Sequence, residues 1–170
     1  MKGFVKKLQG GAELPARAEM RHVALSWLGG FLAIAFVAYL AQATHMPLVL
    51  GSFGASCVLV FGFPESPFSQ PRNVILGHFL SSLIGLIFLA LFGTVWWSMA
   101  LALATAIGVM QVTRTVHPPA GSNPLIVMMT SPQWSFLLFP TLIGAVMLVA
   151  VAVIFNNLPP ERSYPKYWLG

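Results

Sequence analysis

Charged residues are scarce in this sequence. Lys, Arg, Asp and Glu make up 8% of its 170 residues, whereas 57% are hydrophobic and the mean hydropathy is +0.80. Soluble domains carry about 25% charged residues, so the composition excludes a water-soluble globular protein. Charges are missing altogether from the ranges 22–64, 73–113 and 115–160. A membrane-crossing helix needs about 20 apolar residues, and these ranges therefore hold one, two and two crossing-sized segments.

Acidic residues and cysteine are also nearly absent, which excludes most catalytic and metal-binding arrangements. The four acidic residues all lie outside the three uncharged ranges, so neither a Ser-His-Asp triad nor a pair of catalytic carboxylates can form within the membrane. No two of the four histidines have His-x-x-x-His spacing, and the single cysteine, Cys57, excludes a disulfide framework. We therefore predict a protein that is not an enzyme and that holds no metal and no cofactor.

The basic residues indicate the orientation in the membrane. Nine of them against four acidic residues give a net charge of +5, which in a soluble protein suggests nucleic acid. Here they flank apolar ranges, as the positive-inside rule requires, so we predict no nucleic-acid partner. Six segments with a cytoplasmic N-terminus put every basic residue on the inner side. A four-span alternative with two re-entrant loops would place Arg72 and Arg114 outside.

This count predicts an integral protein of the bacterial inner membrane with both termini in the cytoplasm. Its divisions are a cytoplasmic N-terminal segment, a transmembrane domain and a cytoplasmic tail, at residues 1–21, 22–158 and 159–170.

The fifth of the six segments decides the predicted architecture. Its eleven or so residues reach roughly 17 Å as a helix, against a hydrocarbon core of about 30 Å. The preceding Pro118 and Pro119 cannot continue a helix, so we predict a half-helix that starts inside the membrane. An inert kinked helix is the alternative. The fold class is an all-α polytopic membrane protein, the second and fifth segments short or broken, with predicted segments at about 23–43, 47–63, 74–92, 95–112, 120–130 and 134–155.

A weak internal repeat indicates how the halves are related. His45 precedes Gly51-Ser52, and His117 precedes Gly121-Ser122. Three segments per repeat is an odd number, so the halves would be inverted in the membrane. Inverted repeats with broken helices are typical of transporters with a site near the midplane. Close helix packing is the alternative reason for glycine and serine at these positions.

The two half-helix starts are the predicted anion site. Their unpaired amides and positive dipole ends favour an anion, and glycine lets it approach the backbone. Arg114 offers a forked cationic donor, and His117 a hydrogen bond or a proton. The alternatives are that Arg114 extends to the interface, His117 caps the half-helix and His78 packs between helices. The predicted substrate-binding residues are Gly51, Ser52, Phe53, Gly54, Ser56, Arg72, Asn73, His78, Arg114, His117, Gly121, Ser122 and Asn123.

Several motifs in order resemble the HPP family of integral membrane proteins. They are Gly51-Ser52-Phe53-Gly54-Ala55-Ser56, Ser66-Pro67, Gln70-Pro71-Arg72-Asn73, Gly77-His78 and Arg114-Thr115-Val116-His117-Pro118-Pro119-Ala120-Gly121. The resemblance covers about residues 20–168 and implies a multi-spanning, transporter-like fold. Relatives in chloroplasts and cyanobacteria are associated with nitrite transport, which implies a small monovalent anion here. The sequence departs from the family at Ser122-Asn123-Pro124, where small apolar residues are usual.

The expected function is therefore transport of a small monovalent anion, and nitrite is the leading candidate. A passive anion channel and a membrane interaction or assembly protein are the alternatives. The expected partners are the lipid bilayer, the anion and a second copy of the chain. The homodimer is expected because 170 residues offer few helices to enclose a polar pathway.

Overall fold

The computed structural model describes residues 12–168, and within this range every regular element is helical. This confirms the all-α polytopic fold. The first eleven residues of the predicted cytoplasmic segment 1–21, which include Lys2, Lys6 and Lys7, lie outside the described residues, as do residues 169–170.

Six α-helices form the bundle within residues 12–168. In the same range, three stretches are apolar and long enough to cross a membrane, Met20–Thr44, Pro71–Phe92 and Trp134–Asn156. The last of these is not one continuous α-helix, because turns of 3-10 and π type occupy residues 134–142. The helices are α1 (Met20–Thr44), α2 (Ser52–Gly62), α3 (Pro71–Phe92), α4 (Trp96–Val112), α5 (Asn123–Thr130) and α6 (Ile143–Asn156).

Both segments predicted to be short or broken are so. The helix α2 begins only at Ser52, after irregular backbone at residues 45–51. The eight-residue α5 follows extended backbone at His117 (φ −132°, ψ 99°) and a 3-10 turn over Pro118–Ser122. The prolines account for the second break, because they lack an amide donor and force the preceding residue out of the helical region.

The sixth segment is also broken, which differs from the continuous helix expected over 134–155. Phe139 has extended backbone (φ −128°, ψ 120°), and the α-helix starts at Ile143. The cause is Pro140, which disfavours a helical conformation at the residue before it. This break brings polar backbone to the interior at a third place in the bundle.

Hydrogen bonds between helix ends show that successive segments alternate in direction. His22 Nε2 donates to Gly62 O (2.7 Å), which joins the start of α1 to the end of α2. Arg72 Nη2 donates to Thr113 O (3.0 Å), and Asn156 Nδ2 donates to Val60 O (3.0 Å). The starts of α1 and α3 and the ends of α2, α4 and α6 therefore share one end of the bundle.

We call this the basic end, because every Lys and Arg within residues 12–168 belongs to its loops, helix starts or tail. Two ion pairs tie the tail to it, Arg21–Glu161 (2.6 Å) and Lys166–Glu65 (2.8 Å). Thr94 Oγ1, in the turn between α3 and α4, donates to Met128 O (3.0 Å) near the end of α5. That contact marks the opposite end of the bundle.

Candidate functional site

The two half-helices meet at their first residues. Ser52 Oγ donates to Asn123 Oδ1 over 2.7 Å, and these residues begin α2 and α5. From this point α2 runs to the basic end and α5 to the opposite end. Two helix N-termini, each with a positive dipole end, therefore face each other inside the bundle. This is the arrangement expected of an inverted repeat.

A central polar cluster surrounds this meeting point, and we define it as Ser52, Ser56, His78, His117 and Asn123. Ser56 Oγ lies 2.9 Å from His78 Nε2 and 2.8 Å from His117 Nε2. The two imidazole rings are edge to face, with centroids 5.0 Å apart. All five side chains are buried. Polar groups at this depth are costly unless they are hydrogen-bonded, so their convergence on one point is a functional signal.

The amide of Asn123 connects the cluster to the break in the sixth segment. Its Nδ2 donates to His78 Nδ1 (3.0 Å) and to Ser82 Oγ (2.9 Å). Thr141, two residues beyond the extended Phe139, donates from Oγ1 to Ser82 Oγ (3.2 Å). The hydrogen-bonded chain therefore runs from α2 across α3 and α5 to the third break.

A cavity of about 430 Å³ lies at the opposite end, beside the start of α2, and we call it the distal cavity. Residues of the ranges 47–51 and 132–140 line it, together with the end of α5. Gly51, which is exposed and directly precedes the buried Ser52, is one of its lining residues. The start of α2 is therefore reachable from the opposite end.

Loop and tail residues cover the cluster on the basic end. Phe68 O accepts from His117 Nδ1 (2.7 Å), and Asn73 Nδ2 donates to Val116 O (2.9 Å). Tyr164 OH donates to Ser69 O (2.8 Å). Burial raises the pKa of the Tyr164 phenol, which therefore remains a donor at neutral pH. These contacts cover the cluster on the basic end. A separate cavity of about 620 Å³ at that end is lined by residues of the ranges 19–25, 62–66 and 161–162 and by none of the cluster.

The structure brings some of the predicted site residues together. Besides the five cluster residues, Phe53 packs edge to face on His78, with ring centroids 5.1 Å apart. Arg72 and Asn73 instead lie at the basic end, where they hold the end of α4 and the segment that follows it.

Other predicted residues lie apart from the cluster. Gly54 is exposed on α2, and a Cβ added to it would meet nothing within 4 Å. Gly121 and Ser122 line a separate groove beside α4, and Ser122 Oγ donates to Pro119 O (2.8 Å). Arg114 is exposed at the basic end and has a left-handed backbone (φ 57°). None of the residues in the central polar cluster is a permanent cation.

Three polar residues that join this network were not among the predicted site residues. They are Ser81, whose Oγ donates to Ala120 O (2.6 Å), together with Ser82 and Thr141. A sequence signal existed for the two serines, because positions 78, 81 and 82 share one face of a helix. For Thr141, the only signal in the sequence was the adjacent Pro140, which indicates a break in the helix.

Comparison with known proteins gives one family and two relatives. The model of the HPP transmembrane region matches residues 15–165. A transmembrane protein of Dictyostelium discoideum is 37% identical over 177 residues, covering 97% of this chain and 57% of the relative. A second from the same organism is 39% identical over 166 residues, 91% of this chain and 58% of the relative. The chain thus spans less than three fifths of either relative, and no solved structure matches significantly.

Proposed function

Because the chain belongs to the HPP family of integral membrane proteins, we propose that it transports a small monovalent anion, with nitrite as the first candidate. The observation that carries this proposal is the contact between Ser52 and Asn123, which holds two half-helix N-termini together inside the bundle. Helix N-termini bind anions through amide N–H groups and the positive dipole end. The proposal includes no catalytic activity, no cofactor and no nucleic-acid partner.

Access to the central polar cluster differs between the two ends of the bundle, and this difference favours a carrier over a channel. The distal cavity reaches Gly51, whereas the contacts of Phe68 and Tyr164 cover the cluster from the basic end. A site open to one side and closed to the other is what alternating access requires. A channel would need both ends open at once.

Flux through proteoliposomes tests the function. The full chain would be reconstituted and assayed with nitrite, nitrate, formate, bicarbonate and chloride, against protein-free vesicles. We expect saturable nitrite uptake, and a loss of about tenfold or more in Ser52→Ala, because a hydrogen bond to a charged partner is worth roughly 1.5–3 kcal/mol. Uptake that never saturates would indicate the channel. Absence of flux for every anion would leave an interaction or assembly protein.

We also propose that the basic end faces the cytoplasm, with the chain in a bacterial inner membrane. The support is the gathering of basic residues there, as the positive-inside rule requires. Single cysteines at the exposed positions Ser163 and Gln133 should label from opposite sides of the membrane, in a background where the buried Cys57 is replaced by alanine. Labelling of both from the outside would contradict this orientation.

For Arg114 we propose a role at the cytoplasmic mouth, because its side chain is exposed at the basic end. Removing its charge in Arg114→Asn should weaken anion uptake from that side several-fold, and high salt should diminish the difference. Asparagine tolerates the left-handed backbone, so the fold should persist, and Arg114→Lys should retain most of the flux. Complete loss of flux at every salt concentration, in a folded Arg114→Asn protein, would instead support direct binding of the anion.

We further propose that the chain assembles as a homodimer. The helix α1 has a broad exposed apolar face, with Trp27 stacked on Phe31 at 5.7 Å. A second copy would cover such a face within the membrane. Native mass spectrometry from mild detergent should give the mass of two chains, and a monomer with full transport activity would contradict the dimer.

A further inference from the structure

His78, Ser56 and His117 form a hydrogen-bonded chain whose proton positions follow from its ends. Phe68 O can only accept, so His117 carries its proton on Nδ1 (2.7 Å) and its Nε2 is an acceptor. Asn123 Nδ2 donates to His78 Nδ1 (3.0 Å), so His78 carries its proton on Nε2 and donates to Ser56 Oγ (2.9 Å). The Ser56 hydroxyl then donates to His117 Nε2 (2.8 Å). With both rings neutral, every group in the chain is satisfied.

The same chain can hold one more proton without leaving any group unpaired. A proton added at His117 Nε2 would point at Ser56 Oγ, which would then accept from both rings. The Ser56 hydroxyl proton would need another acceptor, and Ser52 O lies 3.2 Å from Ser56 Oγ. A purely structural connection between helices requires only the neutral arrangement. This second acceptor makes the protonated arrangement equally complete.

We propose that this chain is the proton-coupling site of the transporter, so that one proton moves with each anion. The inference rests on the proposed anion transport and adds its coupling ion. An anion at the start of α2 brings a negative charge into a site without a permanent cation, which is costly. A proton on His117, which contacts Ser56 one helical turn beyond Ser52, offsets that charge. The loaded carrier is then neutral overall, and the proton leaves with the anion.

The surroundings of the two histidines leave few other charges to perform this function. The sequence has no Asp or Glu between residues 66 and 160, so a sodium site built on a carboxylate is excluded there. Arg114, three residues before His117, is exposed at the basic end, and other titratable or charged groups on the adjoining elements have contacts of their own. Arg72 donates to Thr113 O, Cys57 packs in the apolar core, Glu65 pairs with Lys166, and Tyr167 OH donates to Asn73 Oδ1.

Membrane potential separates coupled from uncoupled transport. Proteoliposomes holding a pH-sensitive dye would take up nitrite at clamped potentials of about 0 and 100 mV, inside negative, set with potassium and valinomycin. Uptake by protein-free vesicles would be subtracted to remove diffusion of nitrous acid. We expect one proton per nitrite in the lumen and a rate that does not change with potential, because the loaded carrier is neutral. Transport of the bare anion would be slowed by the negative interior and would leave the lumen pH unchanged.

Variants test whether the hydrogen-bonded chain of His78, Ser56 and His117 couples the proton to the anion. His117→Gln keeps a hydrogen-bonding side chain that cannot take up a proton, and Ser56→Ala interrupts the chain. In either variant the uptake that remains should carry fewer than one proton per anion and become sensitive to potential, and Ser56→Thr should restore coupling. His45→Asn is the control, because His45 caps α1 with left-handed backbone that asparagine tolerates.

The outcomes distinguish the two proposals. Failure of the wild-type protein to transport nitrite or any other anion tested would contradict the proposed function. Nitrite transport that depends on potential and moves no proton would contradict only the coupling. Variants that transport less but keep one proton per anion would show that the chain is structural. If a variant does not assemble, the wild-type measurement alone decides whether a proton is coupled.

Discussion

Replacing Gly51 by aspartate is expected to stop anion transport while the protein stays folded. Gly51 is exposed at the distal cavity, and a Cβ built on it comes no closer than 3.9 Å to another side chain, at Ile126 Cδ1. Gly51 is exposed and the positive dipole end of α2 lowers the cost of a carboxylate there, so the protein should stay folded. The same carboxylate would occupy the positive potential that the substrate needs. Transport should therefore fall far more than stability.

The size of this effect follows from electrostatics. Two unit charges about 5 Å apart repel by roughly 3 kcal/mol at an effective dielectric constant of about 20, which corresponds to about a hundredfold loss of affinity. The measurement is the concentration dependence of nitrite uptake, together with the thermal midpoint of the purified protein. Gly51→Asn is the matched control, because it has the same shape without the charge. If both variants transport alike, the anion does not bind at the start of α2.

The half-helices were predictable from sequence because their causes are local. Pro118 and Pro119 forbid a helix, and the stretch that follows is too short to cross the bilayer. The convergence of the two half-helix starts followed from counting segments, and the bond between Ser52 and Asn123 agrees with it. The break before Pro140 had an equally local cause. For the sixth segment, the long apolar stretch led to the prediction of one continuous helix, although Pro140 disfavours helical backbone at the residue before it.

The relative positions of the ionisable residues were not predictable. The sequence analysis made Arg114 the cationic donor of the anion site and gave packing between helices as the alternative for His78. The fold places Arg114 at the exposed basic end and turns His78 inward, against α2 and α5. The register of α3 against both half-helices decides this, and it involves residues 22 and 45 positions away in the chain. Local rules do not determine contacts at that separation.

The register of α3 and α6 depends on two glycines, whose replacement by alanine should destabilise the protein strongly. A Cβ at Gly85 would lie 2.8 Å from Pro124 Cα, at the start of α5. A Cβ at Gly144 would lie 2.5 Å from Leu48 O, in the irregular segment before α2. Both of these neighbours are backbone atoms. An added methyl group must therefore push away either the start of α5 or the segment that precedes α2. Overpacking of this kind costs roughly 1–3 kcal/mol.

Gly108→Ala is the control that separates close packing from the general effect of changing a helical glycine. It lies within α4, and a Cβ there meets nothing within 4 Å. Alanine is favoured over glycine in a helix by about 1 kcal/mol, so this variant should melt at the wild-type temperature or above it. Gly85→Ala and Gly144→Ala should melt several degrees lower and lose transport, because both shift the starts of the half-helices. Equal melting temperatures for all three variants would mean that α3 and α6 do not pack closely against the half-helices at Gly85 and Gly144. The position of Ser52 against Asn123 would then not depend on this packing.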